Sequence, residues 1–600
     1  MPLPTEWDLT LLFDSFDDPR FEASFQRAEA LATAMLAAVN GFESGEKAED
    51  PAANLEAGIR MFEELMDPIY RVFSYINLVL ATDATNATAL ACQDRELLLQ
   101  NQLTQIQSAF CRYVGGLEGL DDLIQGSELL EAHAFLLHEF ASQAAHVLPP
   151  ELEPTVLRMQ MNGGQAFSNL RDLLDGTHLV ELVRDQETVS LPLSEVRGMA
   201  YSPDAAVRKA AYEAELEAYR KIEIPMAACL NAVKGEAQTL SELKGYPSIL
   251  DETLTGQRTE QATLEALLTA MEESLPDFRR YLRAKARALG HTNGLPFYDL
   301  FAPVGAVSRR FTYDEAHTYL VDTLGRFSEK MGAFVDHAFR NRWIDALPRP
   351  GKGGGAFCAT IPPVRQSRVL SNFEGSFSSV STLAHELGHA YHGDCLKDAP
   401  ILLSDYPMPL AETASIFNET LVAHAALADA DAKEAIALLD NELLEATQVI
   451  VDILSRYRFE SAVIEARKTR GLNVAELKEM MLEAQRSSYG DGLDPDVMHP
   501  YMWACKGHYY SVDLSFYNWP YAFGLLFGRG VYARYLAEGA AFLPLYDQLL
   551  ERTGRDSVTG VAASVGIDVN DPAFWRSALD TIRETIDRYE ALVDTVNKPV

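Results

Sequence analysis

The stretch STLAHELGHAYHG, residues 381–393, organises the reading of this 600-residue chain. Within it His385, Glu386 and His389 form the pattern H-E-x-x-H. Residues four apart on an α-helix share one face, one turn above the other. His385 and His389 therefore present two imidazole nitrogens to a single ion, at the ~2.0–2.1 Å that zinc takes from histidine. Glu386 follows the first ligand directly. Its carboxylate reaches a zinc-activated water without binding the metal, and a water whose pKa is lowered to about 7 is one that a carboxylate can deprotonate as general base. With 13 histidines in the chain, chance places such a pattern in roughly two of a hundred sequences of this kind. Leu383, Ala384, Leu387 and Ala390 make the helix apolar. Burying two histidines and a glutamate there without partners is costly, and one zinc ion per chain removes the difficulty. Gly388 lies mid-helix, where it costs about 1 kcal/mol relative to Ala; close approach of a backbone or substrate, or tight helix packing, would explain it. Gly393 is expected to end the helix as a left-handed cap.

A catalytic zinc site needs a third protein ligand and an open position. His392 lies on the same helix face as His385, but seven residues span about 10.5 Å along the axis, too far for a shared ion. Glu412 is the better candidate. It belongs to PLAETASIFNE (409–419), where Pro409 is placed to start a helix. Antiparallel packing of that helix on the first brings Glu412 to the metal. Glu419, two turns on, either orients a histidine ligand or serves as a structural acid.

Around this centre the chain reads as helix, with apolar residues at three- and four-residue spacings over 21–39, 54–80, 89–114, 204–243, 260–289 and 433–468. No βαβ alternation or fixed-period repeat is visible. Strand signals are few. Residues 177–191 alternate around a polar middle and predict a hairpin. RVLSNF, 368–373, predicts a second strand just before the metal helix and just after Gly353, Gly354 and Gly355. An extended peptide lying beside an exposed edge there would gain main-chain hydrogen bonds, and the glycine loop could move over it. The expected fold is therefore mainly α, with a small β element beside the zinc site. An N-terminal helical domain is expected over 1–190 and a catalytic domain over 191–600.

Lys and Arg total 51 against 87 for Asp and Glu, a net charge of −36. That field repels phosphate backbones and anionic lipid headgroups, so nucleic-acid and membrane partners are not expected. Six cysteines, none in a C-x-x-C spacing, suit reduced thiols in a cytoplasmic protein. The opening MPLPTEWDLT has no basic or apolar signal regions. No apolar run approaches the ~20 residues of a membrane span. No heptad stands out, and a monomer is expected.

Four stretches carry a resemblance: GGGAFCATIPPVRQSRVLSNFEGSF (353–377), residues 381–393, LAETASIFNET (410–420) and HPYMWACKGHYYSVDLSFYNWPYAFG (499–524). Together they resemble the thimet-like family of zinc metallopeptidases, and within it the bacterial oligoendopeptidase F branch. Weaker likeness runs forward through LKGYP (243–247) to Trp7-Asp-Leu. The resemblance implies a multi-helix peptidase with a deep central substrate cleft. It implies metal ligands at His385, His389 and Glu412, Glu386 as base, and endopeptidase action on short peptides. It also places a histidine and tyrosines opposite the zinc, where donors stabilise the oxyanion. His508 and Tyr517 are the nearest matches. The run between them is longer than usual, so Tyr509 or Tyr510 could take the donor role. Phe373, Tyr510 and Tyr521 are the expected substrate-binding residues. Two other readings stay open. One is a peptidyl carboxypeptidase that would use a cation such as Arg365 or Arg368 to hold the terminal carboxylate. The other is a non-catalytic peptide-binding helical scaffold.

Overall fold

A computed structural model of the chain describes residues 2–42, 50–184, 187–305 and 309–596. Helices carry most of it, and the strands are few and short, so the protein is mainly α. The chain builds two compact units by passing between them: Met1–Val147, Arg309–Ala425 and Arg534–Gly566 form one, and Leu148–Ser308, Ala426–Ala533 and Ile567–Val600 form the other. Among the described residues no helix is long and apolar enough to cross a membrane.

The first unit begins with helices Pro19–Asn40, Pro51–Thr82 and Ala87–Gly115. Asp18 and Asp50 cap the first two by accepting from backbone N–H groups, which satisfies donors that a helix start leaves open. Phe25, Ile59, Leu65, Val72, Ile106 and Phe110 fill the space between them. The same core extends to Ile361 and Leu370 of a small sheet.

That sheet sits beside the metal helix, as expected, but its order differs from the expectation. Strand Gln366–Leu370 lies in the middle. It pairs antiparallel with Phe357–Ile361 and parallel with Ile344–Asp345. The segment expected to offer an open edge is therefore flanked on both sides, and Phe357–Ile361 is an edge strand. The glycine loop is also tied down. Asn372 Nδ2 donates to the carbonyls of Gly353 and Gly355 at 3.0 and 2.9 Å, and Gly353 N–H donates to Ala81 O at 2.8 Å.

The second unit contains the expected hairpin, with Leu179–Arg184 paired antiparallel to Glu187–Pro192. A 39-residue helix, Ala205–Leu243, runs through it, and Gln261–Ala288 packs along Pro572–Val596. Helix Ala432–Thr447 passes through one π-helical turn, Gln448–Asp452, into Ile453–Arg467. Three buried charge pairs stand in this unit: Lys234 with Glu460 at 2.6 Å, Lys285 with Asp440 at 3.0 Å, and Arg208 with Asp299 at 2.7 Å. Burial of a charge is tolerated when it is paired in this way.

Candidate metal centre and catalytic residues

The metal helix runs Phe377–Cys395. Ser376 caps it by accepting from Ser379 N–H at 3.1 Å. Gly375, at φ 78°, makes the turn into it, and its carbonyl accepts from Phe311 N–H at 2.9 Å. Val380, Leu383, Ala384, Leu387 and Ala390 are buried, as the apolar pattern requires.

Gly388 has a clear cause. A Cβ there would stand 2.5 Å from Ala414 O and 2.6 Å from Ser415 Cα. The metal helix and helix Thr413–Asp429 touch backbone to backbone at this point. Gly393 does not end the helix. It lies within the last turns with an ordinary helical φ, and the helix closes at Leu396. A Cβ on Gly393 would meet Thr360 Oγ1 at 2.5 Å and Ser367 Oγ at 3.1 Å. The glycine is there to let the helix lie against the sheet.

Glu412 is placed by a break in the chain. Pro409 opens the short turn Met408–Ala411, and the longer helix Thr413–Asp429 starts only after it. Glu412 sits at the junction, with φ −83° and ψ 4°. From there its Oε2 lies 3.3 Å from His385 Nε2 and 3.5 Å from His389 Nε2. Ser415 Oγ donates to the same oxygen at 2.7 Å and fixes the carboxylate. Candidate ligand atoms of His385, His389 and Glu412 all fall within 4.8 Å of one another. Two imidazoles and a carboxylate converging on one point fit a divalent transition ion, and they are the donor set that zinc accepts with one position left open. Glu419 Oε2 takes the other ring nitrogen of His385, Nδ1, at 3.2 Å. A carboxylate behind a histidine ligand fixes the tautomer that turns Nε2 to the metal.

The electrostatics separate the two glutamates. Burial opposes ionisation of Glu412, but its bond to His385 and the neighbouring imidazoles outweigh it and hold the carboxyl at about 2. Burial raises Glu386 to about 7, against the pull of His385. Glu386 is 6% exposed. His392 stands apart, as its distance along the axis predicts. It stacks on Tyr406 with ring centroids 4.0 Å apart, and its Nε2 meets Thr553 Oγ1 at 2.8 Å.

The remaining expected residues are divided. Phe373 belongs to the first unit and is buried, edge-on to Tyr313 at 5.7 Å. His508, Tyr510, Tyr517 and Tyr521 belong to the second unit. There His508 and Tyr517 are neighbours, with ring centroids 6.1 Å apart, and the Tyr517 and Tyr521 hydroxyls are 2.6 Å apart. These three side chains are half-buried, whereas Tyr509 and Tyr510 are each 1% exposed.

Sequence reasoning missed Asn518. Its Nδ2 lies 2.7 Å from His508 Nε2, and its Oδ1 accepts from Arg456 Nη1 at 2.9 Å. An arginine only donates, so Oδ1 must face Arg456 and the amide N–H₂ must face the histidine. His508 Nε2 is then the acceptor, and the ring proton sits on Nδ1. Burial, with the positive charges of Arg456, Lys234 and Lys506, holds His508 neutral down to about 3.

The fold and this centre define a mainly α protein built round an H-E-x-x-H ligand set. The chain belongs to peptidase family M3, whose model matches residues 198–581. It is 22% identical to the oligopeptidase PepF of Bacillus subtilis over 92% of this chain and 83% of that one. It is also 22% identical to an oligoendopeptidase F homolog of Lactococcus lactis, over 98% and 97% of the two chains. Its fold matches the crystal structure of oligoendopeptidase-F from Enterococcus faecium with a TM-score of 0.70 at 17% identity, covering 96% of this chain and 99% of that one. The resemblance carried by the four stretches therefore holds.

Proposed function

We propose that the protein is a zinc metalloendopeptidase that hydrolyses internal bonds of short peptides in the cytoplasm. The observation that carries this reading is the convergence of His385, His389 and Glu412 on one point, with Glu386 beside them as a buried carboxyl outside the ligand set. The names of the relatives, oligopeptidase and oligoendopeptidase F, support the substrate class. The match over 198–581 supports placing the catalytic segment within 191–600.

His385, His389 and Glu412 would hold zinc, which would supply the Lewis acidity that polarises a carbonyl and acidifies water. Glu386 takes a proton from the attacking water at its carboxylate oxygen and passes it to the leaving nitrogen. A base poised near neutral pH suits both transfers. Glu419 keeps His385 in the right tautomer. His508 donates from Nδ1–H, and Tyr517 from its hydroxyl, to the oxyanion that develops as the carbonyl is attacked; donors fixed in advance favour the transition state over the substrate. Peptide backbone pairs with the edge strand Phe357–Ile361, which asks for no particular sequence. Phe373, Tyr510 and Tyr521 are the side chains assigned to the peptide.

Neither arginine favours the carboxypeptidase reading. Arg368 is 2% exposed and bonded to Asp8 O and Ser367 O. Arg365 pairs with Asp398 on the surface at 2.9 Å. The test is metal content together with cleavage of a quenched nonapeptide, free or C-terminally amidated. One zinc per chain, internal cleavage of both forms, and loss on chelation with recovery on zinc are expected. Tightly held zinc without cleavage across a mixed peptide library would favour the binding scaffold.

A further inference from the structure

The second unit holds a cavity of about 230 Å³ that peptide hydrolysis does not use. Aromatic rings line one side, among them Tyr201, Phe297 and Phe301. Tyr201 is 60% exposed and leans on Phe301, ring centroids 5.0 Å apart, so the mouth lies there. Polar groups complete the lining, and Phe297 packs on the His499 ring with centroids 5.0 Å apart. Besides three tyrosines, the titratable lining is three cations, Arg197, Arg208 and Lys506, against one acid, Glu215, and one histidine, His499. This is a cationic pocket in a chain of net charge −36.

The cations are not equivalent. Arg208 donates to Asp299 and to Ser202 O, each at 2.7 Å. Arg197 faces Glu215 at 3.2 Å. The Lys506 carbonyl accepts from Tyr509 N–H at 3.3 Å, and its ammonium makes no salt bridge or hydrogen bond among the described residues. Burial pushes its ammonium below the ordinary lysine range, and the charges of Arg456 and Arg197 add to that. His499 is 1% exposed, and its Nδ1 has no hydrogen-bond partner; its Nε2 faces Glu215 Oε1 at 3.5 Å. Gln448 Nε2 is buried without a partner as well. Gln448 opens the π-helical turn Gln448–Asp452, a distortion that recurs at functional sites. Buried polar groups without partners are rare. Here a lysine, a histidine and an amide N–H₂ converge on one space, and the complement of three donors is an anionic acceptor. The volume is below the ~300–1,000 Å³ of drug-sized ligand pockets, which suits one amino-acid-sized body.

We infer that this cavity binds a small carboxylic acid with an aromatic body. The carboxylate sits on Lys506, with Gln448 and His499 donating, and the ring lies among Tyr201, Phe297 and Phe301. A free aromatic amino acid and the C-terminal residue of a peptide share this chemistry. The inference does not depend on the metal centre.

The test is calorimetric titration of the full chain with 3-phenylpropanoate, 3-phenylpropanamide, L-phenylalanine and Gly-Gly-Phe. Saturable binding of 3-phenylpropanoate is expected, at least tenfold tighter than the amide. Lys506→Met should weaken it at least tenfold. Ala200→Phe, which fills the mouth, should abolish it, and both variants should keep the melting temperature of the parent. His389→Ala, which dismantles the metal cluster, should leave it unchanged. Tighter binding of L-phenylalanine than of Gly-Gly-Phe assigns the site to free amino acids, and the reverse assigns it to peptide termini. No binding of 3-phenylpropanoate, equal binding of acid and amide, or binding lost with His389→Ala but kept with Lys506→Met overturns the inference.

Discussion

Glu386 has a carboxyl raised to about 7 by burial, and replacing it with glutamine keeps its shape while removing its basicity. Glu386→Gln should retain one metal per chain and lose roughly 10²–10⁴-fold in kcat. Metal analysis beside single-turnover cleavage would check this, and an active variant would end the assignment. Asn518→Leu frees His508 to exchange tautomers. It should lower kcat by roughly 10²-fold, in the range of a lost oxyanion donor, with KM little changed; an equal loss carried by KM would point to peptide binding instead. The H-E-x-x-H pair was legible because helical geometry alone puts residues four apart on one face. Glu412 was legible through Pro409, although its place at a break between helices was not. The choice among the late tyrosines was not legible. What separates Tyr517 from Tyr509 and Tyr510 is burial, which depends on elements distant in sequence. Asn518 was invisible for the same reason, since its partner Arg456 is 62 residues away.

At the scale of elements, the contact between the metal helix and Thr413–Asp429 decides whether the ligands meet. Gly388→Ala would gain about 1 kcal/mol of helix propensity. Its methyl would strike backbone at 2.5 Å, and overpacking of that kind costs ~1–3 kcal/mol. The variant should melt lower and bind zinc more weakly, because Ser415, which holds Glu412, lies at the same contact. Gly393→Ala strikes side chain instead of backbone, Thr360 Oγ1 at 2.5 Å and Cγ2 at 2.9 Å, so its melting temperature should also fall, but zinc binding should be kept. Thermal scans of the two variants with and without added zinc would separate these outcomes. The sequence showed that a strand precedes the metal helix but not which strand is the edge. Alternation within RVLSNF says nothing about the two residues at Ile344–Asp345 that cover its far side.

For the whole molecule, acid is the expected weakness. Burial holds His392 and His508 neutral down to about 3, whereas in the unfolded chain histidine titrates near 6.5. Between those values the unfolded state binds more protons. The stability these two histidines supply is therefore complete above about pH 6.5 and is lost as the pH falls toward 3, while the raised Glu386 carboxyl offsets one histidine's share between about 4.5 and 7. Each histidine contributes a slope of about 1.4 kcal/mol per pH unit. Urea titrations at pH 7, 6 and 5 should show the decline, and His392→Gln should remove one histidine's share of it; an unchanged slope would mean that His392 is protonated in the folded protein.

The threefold passage of the chain through the first unit also sets the order in which the protein is born. Tyr391 and His392 on the metal helix close against Asp547 and Thr553, and Thr553 follows His392 by 161 residues. At about 5–20 residues per second of synthesis, those partners leave the ribosome roughly 10–30 s after the helix does. The nascent H-E-x-x-H segment must wait that long with its inner face uncovered, so a truncated product ending before residue 534 would carry the ligands without the wall that supports them.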